Sequence, residues 1–176
     1  ISDLDKDYIK KLDKKVNIIL RNYSIKFNNK KLKEFKDFCR LNNHNIYLAN
    51  NMRLALNLKF DGVYIPSFNK KMNFTYNKKS KNFKVIGSAH NLSEIRVKEK
   101  QGADCIFLSP LFKVIKSSKS LGISKFNILA HSTDRQIIAL GGINKLNIKK
   151  LSMLSVVGFS GISYFQKKTA LKKRAV

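Results

Sequence analysis

Residues Gln136–Asn144 read QIIALGGIN. Four apolar residues, Ile137–Leu140, run without a break into Gly141-Gly142. A short apolar run closed by glycines fits a strand buried on both faces, as in a parallel sheet, better than a helix. Paired glycines at its end leave the backbone amides uncovered by side chains, which suits an anion such as phosphate. Taken alone, the same pair reads equally well as a tight turn with no ligand.

The same kind of strand recurs along the chain. The pattern predicts the tail of one at Ile1–Asp3 and others at Val16–Tyr23, Asn45–Ala49, Gly62–Pro66, Phe83–Ala89, Cys105–Pro110, Ile137–Leu140 and Ser160–Phe165. Helices are expected between them. Apolar residues at three- to four-residue spacing mark Leu4–Lys15 and, most clearly, Lys31–Asn42 with Leu32, Phe35, Phe38, Cys39 and Leu41. Further helices are expected at Met52–Phe60, from a Ser93-x-x-Arg96 opening to a C-cap at Gly102, and at Ser124–His131, Asn147–Leu154 and Lys167–Arg174. Asn69–Asn82 and Leu111–Leu121 read as loops. Strands alternating with helices imply a parallel sheet with helical crossovers. Eight such units point to a short-helixed (β/α)8 TIM barrel over residues 1–176 as one domain, with its first strand cut short; a flavodoxin-like open sheet is the alternative.

In a barrel the chemistry gathers at the carboxyl ends of the strands. Arg21, Asn50, Ser67, Ser88, His90, Ser109, Gly141, Gly142 and Gln166 would then share one face. Phosphate in such barrels sits at the loops after strands seven and eight. Those are the positions of Gly141-Gly142 and Tyr164–Gln166, so fold and local chemistry agree on an anion there.

Composition narrows the partners. The chain carries 36 Lys+Arg against 11 Asp+Glu, a net charge of +25, yet the lysines are scattered as pairs rather than gathered into a stripe with aromatics. A dedicated nucleic-acid surface is therefore not expected, while a positive field that draws phosphorylated small molecules is. No apolar run reaches membrane-spanning length and no leader pattern is visible, so a cytoplasmic protein is expected. Cys39 and Cys105, without metal-type spacing, are expected as free core thiols, and His44 and His131 as surface residues. A homo-oligomer is left open.

The ordered set Ile1-Ser2-Asp3, Ile19–Arg21, Leu54–Val63, Ser88–Glu94, Gly102–Ile106, Ser109–Phe112, Ile138–Ile143 with Asn147, and Gly158–Ser163 resembles the thiamine phosphate synthase and TenI superfamily. The resemblance implies a thiamine-biosynthesis enzyme acting on a thiazole phosphate, whose phosphate would lie on Gly141, Gly142 and the loop Tyr164, Phe165 and Gln166. In the synthase branch a pyrimidine diphosphate ionises and the thiazole nitrogen captures the cation, with Mg2+ on the leaving pyrophosphate. Arg21 and Ser88 match pyrophosphate-contacting positions, and Lys116 or Lys119 would supply a further cation. The metal-binding aspartates of that branch fall at Asn50 and Asn69, where a hard dication would want carboxylates, and its pyrimidine-side glutamine falls at Ile19. The TenI branch, a thiazole tautomerase, needs no metal and moves a proton with a histidine that His90 matches; imidazole can take and return a proton near neutral pH. Ile65-Pro66-Ser67 is closer to that branch, whereas Ser109-Pro110 stands where it can carry a second histidine. A third implied role is a non-catalytic holder of a thiazole or thiamine phosphate.

Overall fold

The computed structural model describes residues 1–22, 28–72, 82–114, 119–161 and 164–165. Among them, seven strands form one parallel sheet: β1 Ile18–Leu20, β2 Ile46–Ala49, β3 Gly62–Ile65, β4 Lys84–Ala89, β5 Cys105–Leu108, β6 Gln136–Leu140 and β7 Gly158–Ser160. The strands lie side by side in chain order, every neighbour parallel. Helix α1, Lys6–Lys10, precedes β1. Crossovers run through α2 Asn29–Leu41, α3 Met52–Asn57, α4 Leu92–Lys100, α5 Gly122–Ala130 and a 3-10 helix at Ile148–Met153. Strictly sequential order excludes the flavodoxin-like alternative, in which strand order reverses at a switch point. It is the order of a barrel wall. Ile1 extends that wall beyond β1: its amino group donates to Ile19 O at 2.8 Å, and Arg21 N–H donates to Ile1 O at 2.7 Å. That is the hydrogen-bond pattern of a parallel bridge.

Both faces of the sheet are apolar, because side chains alternate along each strand. One face carries Ile18, Leu20, Ile46, Leu48, Val63, Ile65, Val85, Ile106, Leu108 and Ile137 against the helices, which contribute Leu32, Phe35, Cys39, Ala55, Ile95 and Phe126. The other face carries Tyr47, Tyr64, Ile86, Cys105 and Phe107, with Ile19, Ala49, Ile138 and Leu140 beside them. The continuous apolar runs of the sequence thus correspond to strands covered on both sides.

Several boundaries differ from the sequence expectations. The first helix shrinks to Lys6–Lys10, with Asp5 as its N-cap. The helix after β4 is opened by Asn91, not Ser93: Asn91 Oδ1 accepts from Glu94 N–H at 2.9 Å, and Glu94 Oε2 accepts from His90 N–H at 2.8 Å. Asparagine is thus the N-cap, and the glutamate three residues on reaches back to the amide just before it, one residue beyond the usual capping box. Gly102 closes the helix as expected, at φ +74. The segment expected as a helix at Asn147–Leu154 is a 3-10 helix. Among the described residues the last strand is Gly158–Ser160, and Tyr164 and Phe165 of the expected strand Ser160–Phe165 are helical. The expected helix Lys167–Arg174 lies outside the described residues. Both cysteines are buried and unbridged. His44 is buried, not on the surface: its Nδ1 lies 2.8 Å from Val16 O and ties the end of α2 to the approach to β1.

Candidate functional site

A parallel sheet puts every strand's carboxyl end on one edge. Arg21, Asn50, His90, Ser109 and Gly141 each follow within a residue of a strand's last member, and Ser67 follows β3 by two. The described members of the face expected from sequence therefore share one edge, Gln166 lying outside the described residues, and three hydrogen-bonded clusters lie there.

The first is centred on His90, held directly after β4 by the α4 cap. His90 Nδ1 lies 2.8 Å from the Ser109 carbonyl oxygen and 3.2 Å from Ser109 Oγ; Nε2 lies 3.2 Å from Ser67 Oγ. A carbonyl can only accept, so the neutral ring places its proton on Nδ1. Nε2 then offers a lone pair on an exposed ring, with the Ser67 hydroxyl as donor. Loops after three strands thus fix the tautomer and aim of one imidazole. The Ser109-Pro110 peptide is cis.

The second cluster lies on the inner aromatic face. Tyr64 Oη–H donates to Ser88 Oγ at 3.0 Å, and both side chains are buried. The Tyr64 ring tilts against Phe107 with centroids 5.8 Å apart. Ser88 Oγ accepts from the phenol and keeps its own O–H to donate.

In the third cluster, Asn69 Nδ2 donates to Asn50 Oδ1 at 2.6 Å. Asn50 sits in the left-handed region at φ +57, which asparagine tolerates better than most residues. Asn69 Oδ1 accepts from Lys71 N–H at 3.0 Å. The two positions expected to hold metal are therefore adjacent, but they are neutral and both carboxamide oxygens are already engaged. Among the described residues no group of three or more His, Cys, Asp or Glu side chains is placed to hold an ion. This donor set does not fit Mg2+, which prefers carboxylate oxygens in near-ideal octahedral geometry.

Beneath that cluster lies Lys98, fully buried on α4. Its Nζ donates to Pro66 O at 2.8 Å, Asn69 O at 2.7 Å and Gln101 Oε1 at 2.9 Å. Burial lowers its ammonium from 10.5 to about 8, with Glu94 pulling the other way.

Gly141 and Gly142 both have positive φ, +96 and +69. A Cβ on Gly142 would come within 2.6 Å of Lys113 O and 2.7 Å of Phe112 O; one on Gly141 would meet Pro110 Cα at 2.8 Å. The immediate reason for the glycine pair is thus the backbone of the loop after β5, a closeness that sequence reading had assigned to a ligand. Asn147 Nδ2 donates to Gly142 O at 2.8 Å and holds the turn from its other side. Beyond it, Tyr164 and Phe165 pack on Phe159 of β7, centroids 5.2 Å and 5.8 Å from it.

Arg21 and Lys119 are exposed. Lys116 and Gln166 lie outside the described residues. Sequence reading missed Tyr64, Lys98 and Gln101. The signal for Lys98 was present: it falls three residues after buried Ile95, on the helix face where an apolar residue belongs.

A sequentially ordered parallel sheet with hydrogen-bonded polar clusters at the strands' carboxyl ends defines a β/α protein of the barrel-wall type, a class whose ligand sites lie at those ends. The profile of the family described as "Thiamine monophosphate synthase" matches residues 10–165. The chain belongs to that family. A relative in Aquifex aeolicus is 33% identical over 120 residues, 64% of this chain and 61% of its own length. The "Thiamine-phosphate synthase" of Prochlorococcus marinus subsp. pastoris is 33% identical over 121 residues, 67% of this chain and 34% of its own. The chain therefore spans less than two thirds of the length of these relatives. Among solved structures, the "Thiamine phosphate pyrophosphorylase" from Pyrococcus furiosus superposes with a TM-score of 0.72 at 18% identity, covering 96% of this chain and 88% of that one.

Proposed function

We propose that this chain is a thiamine-biosynthesis enzyme that takes a thiazole phosphate and couples it to a pyrimidine diphosphate. The family match across residues 10–165 carries this reading. On it, residues 1–176 are a single domain in which an eighth strand completes a (β/α)8 barrel. The thiazole phosphate rests on the Gly141-Gly142 turn and on Tyr164, Phe165 and Gln166. The bond from the pyrimidine methylene carbon to the diphosphate oxygen breaks, the electron pair leaving with pyrophosphate. The thiazole nitrogen then donates its lone pair to that carbon. Arg21 and Lys116 or Lys119 compensate the charge developing on the leaving group, with the Ser88 hydroxyl donating a hydrogen bond to it. Because Asn50 and Asn69 do not fit Mg2+, no step is assigned to a metal. The high positive charge favours capture of such anionic substrates. Among the described residues no helix is long and apolar enough to cross a membrane, and a cytoplasmic setting follows from the reading of the substrates.

The geometry around His90 favours a second reading. An imidazole with Nδ1–H fixed by a backbone carbonyl and Nε2 facing a hydroxyl is equipped to move a proton without a metal. On that reading the chain isomerises a thiazole carboxylate phosphate, and the paired carboxamides replace a site that a tautomerase does not need. One experiment separates the two. Purified protein is incubated with thiazole phosphate, pyrimidine diphosphate and Mg2+, and separately with the thiazole carboxylate phosphate tautomer. Thiamine phosphate formation establishes the synthase. Isomerisation that disappears in His90→Ala establishes the tautomerase. Phosphate-dependent thermal stabilisation with neither reaction leaves a binding protein and refutes both enzyme readings.

A further inference from the structure

The loop that leaves β3 supplies Ser67 to His90 and Asn69 to Asn50. Within the loop, Asn69 N–H donates to Pro66 O at 3.1 Å and Lys71 N–H donates to Asn69 Oδ1 at 3.0 Å. Its carbonyls are in addition caught from behind by α4. Lys98 Nζ donates to Pro66 O and Asn69 O at 2.8 and 2.7 Å, and Gln101 Nε2 donates to Asn69 O and Lys71 O at 2.9 and 2.8 Å. Lys98 also donates to Gln101 Oε1 at 2.9 Å, so the two side chains hold each other in place. Both are nearly or fully buried. Room for the lysine stem comes from Gly87 on β4, where a Cβ would fall 2.8 Å from Lys98 Cγ. An ammonium taken out of water is costly unless it is fully hydrogen-bonded. Here its three protons meet three acceptors, so the cost is offset by fixing one piece of backbone.

We infer that Lys98 and Gln101 are positioning residues that hold the Pro66–Lys71 loop from the outer side of the sheet and so set the Ser67–His90 and Asn69–Asn50 contacts. This role bears on catalysis through the reading that these residues line the site, but its test needs no substrate. Hydrogen exchange and histidine-labelled 15N NMR are recorded on the whole chain and on Lys98→Met, in which the apolar stem is kept and the donors are lost. The Asn69 amide, bonded to Pro66 O, and the Lys71 amide, bonded to Asn69 Oδ1, should exchange at least about tenfold faster while β4 and β5 amides keep their protection. The His90 Nε2 resonance should move as Ser67 withdraws. Gln101→Ala, which removes two of the four bonds to the loop, should give the same pattern more weakly, and it serves as the test if Lys98→Met does not fold. A folded variant whose Asn69 and Lys71 exchange and His90 resonance match the parent overturns the inference, whatever its melting temperature. Failure of the enzyme readings would instead appear only in the substrate assays.

Discussion

Replacing Gly142 with alanine should cost far more than replacing Gly102, although the two glycines have nearly the same φ. Gly142 has φ +69 and Gly102 has φ +74. Holding an L-residue in this left-handed region costs about 1–2 kcal/mol, so that is the whole expected loss for Gly102→Ala. Among the described residues, nothing beyond its own chain neighbours comes within 4 Å of the Cβ added there. At Gly142 the added carbon would stand 2.6 Å from Lys113 O, 2.7 Å from Phe112 O and 2.8 Å from Phe112 C, against 3.4–4 Å for ordinary contact. These are backbone atoms, and their loop is tied down: Leu111 N–H donates to Leu140 O at 2.9 Å and Phe112 N–H to Gly141 O at 3.1 Å. It cannot yield by rotating a side chain. Overpacking of this kind adds about 1–3 kcal/mol, giving about 2–5 kcal/mol in total for Gly142→Ala. Urea unfolding of the two variants, extrapolated to water, measures the difference. Equal losses in both variants would refute the reading that the Gly141-Gly142 turn is shaped by the loop after β5. Because the turn is also the proposed phosphate seat, Gly142→Ala should lose thermal stabilisation by thiazole phosphate, and Gly102→Ala should keep it.

Three further outcomes are expected. Asn91→Ala removes the side chain that accepts from Glu94 N–H; it should lower stability by about 1 kcal/mol, read from the urea midpoint. Burial lowers Lys98 to about 8, so the unfolded chain holds the extra proton between about pH 8 and 10.5, and this group's contribution to stability rises with pH across that window. Cys39 and Tyr47, both pushed up to about 12 first by burial and then by Asp61, act in the opposite sense above their ordinary values of 9.0 and 10.0. The stability of Lys98→Met should therefore fall more steeply than that of the parent between pH 8 and 10.5; parallel curves would contradict the assignment. Finally, free protein should gain no thermal shift from millimolar Mg2+, whereas the double variant Asn50→Asp, Asn69→Asp should gain one. A shift in the unsubstituted chain would show that the carboxamide pair binds the ion after all.

Reading QIIALGGIN as a buried strand and turn, and repeating that reading along the chain, was enough to find the parallel architecture and its sequential strands. A continuous apolar run of strand length needs only local sequence, so strands buried on both faces such as Gly62–Ile65 and Cys105–Leu108 were legible. Parallel strands also share a polarity, so the convergence of Asn50, His90, Ser109 and Gly141 on one edge followed from the alternation alone. What local sequence could not contain was which distant group meets which. Gly141-Gly142 looked shaped for a ligand, but the atoms nearest its Cβ positions belong to residues 110–113, mostly backbone with the Pro110 ring. His44 looked like a surface turn residue, yet a carbonyl 28 positions earlier buries it. Helix spacing puts Lys98 on the face of Ile95, but only the fold shows the three acceptors around its ammonium, from Pro66, Asn69 and Gln101. The pairing of Asn50 with Asn69, which decides how the site regards a metal ion, spans 19 residues. Backbone periodicity is encoded within a few neighbours. Hydrogen-bond satisfaction of buried polar groups depends on atoms brought together only by the sheet, and for that reason the tertiary structure alone decided how these side chains are arranged.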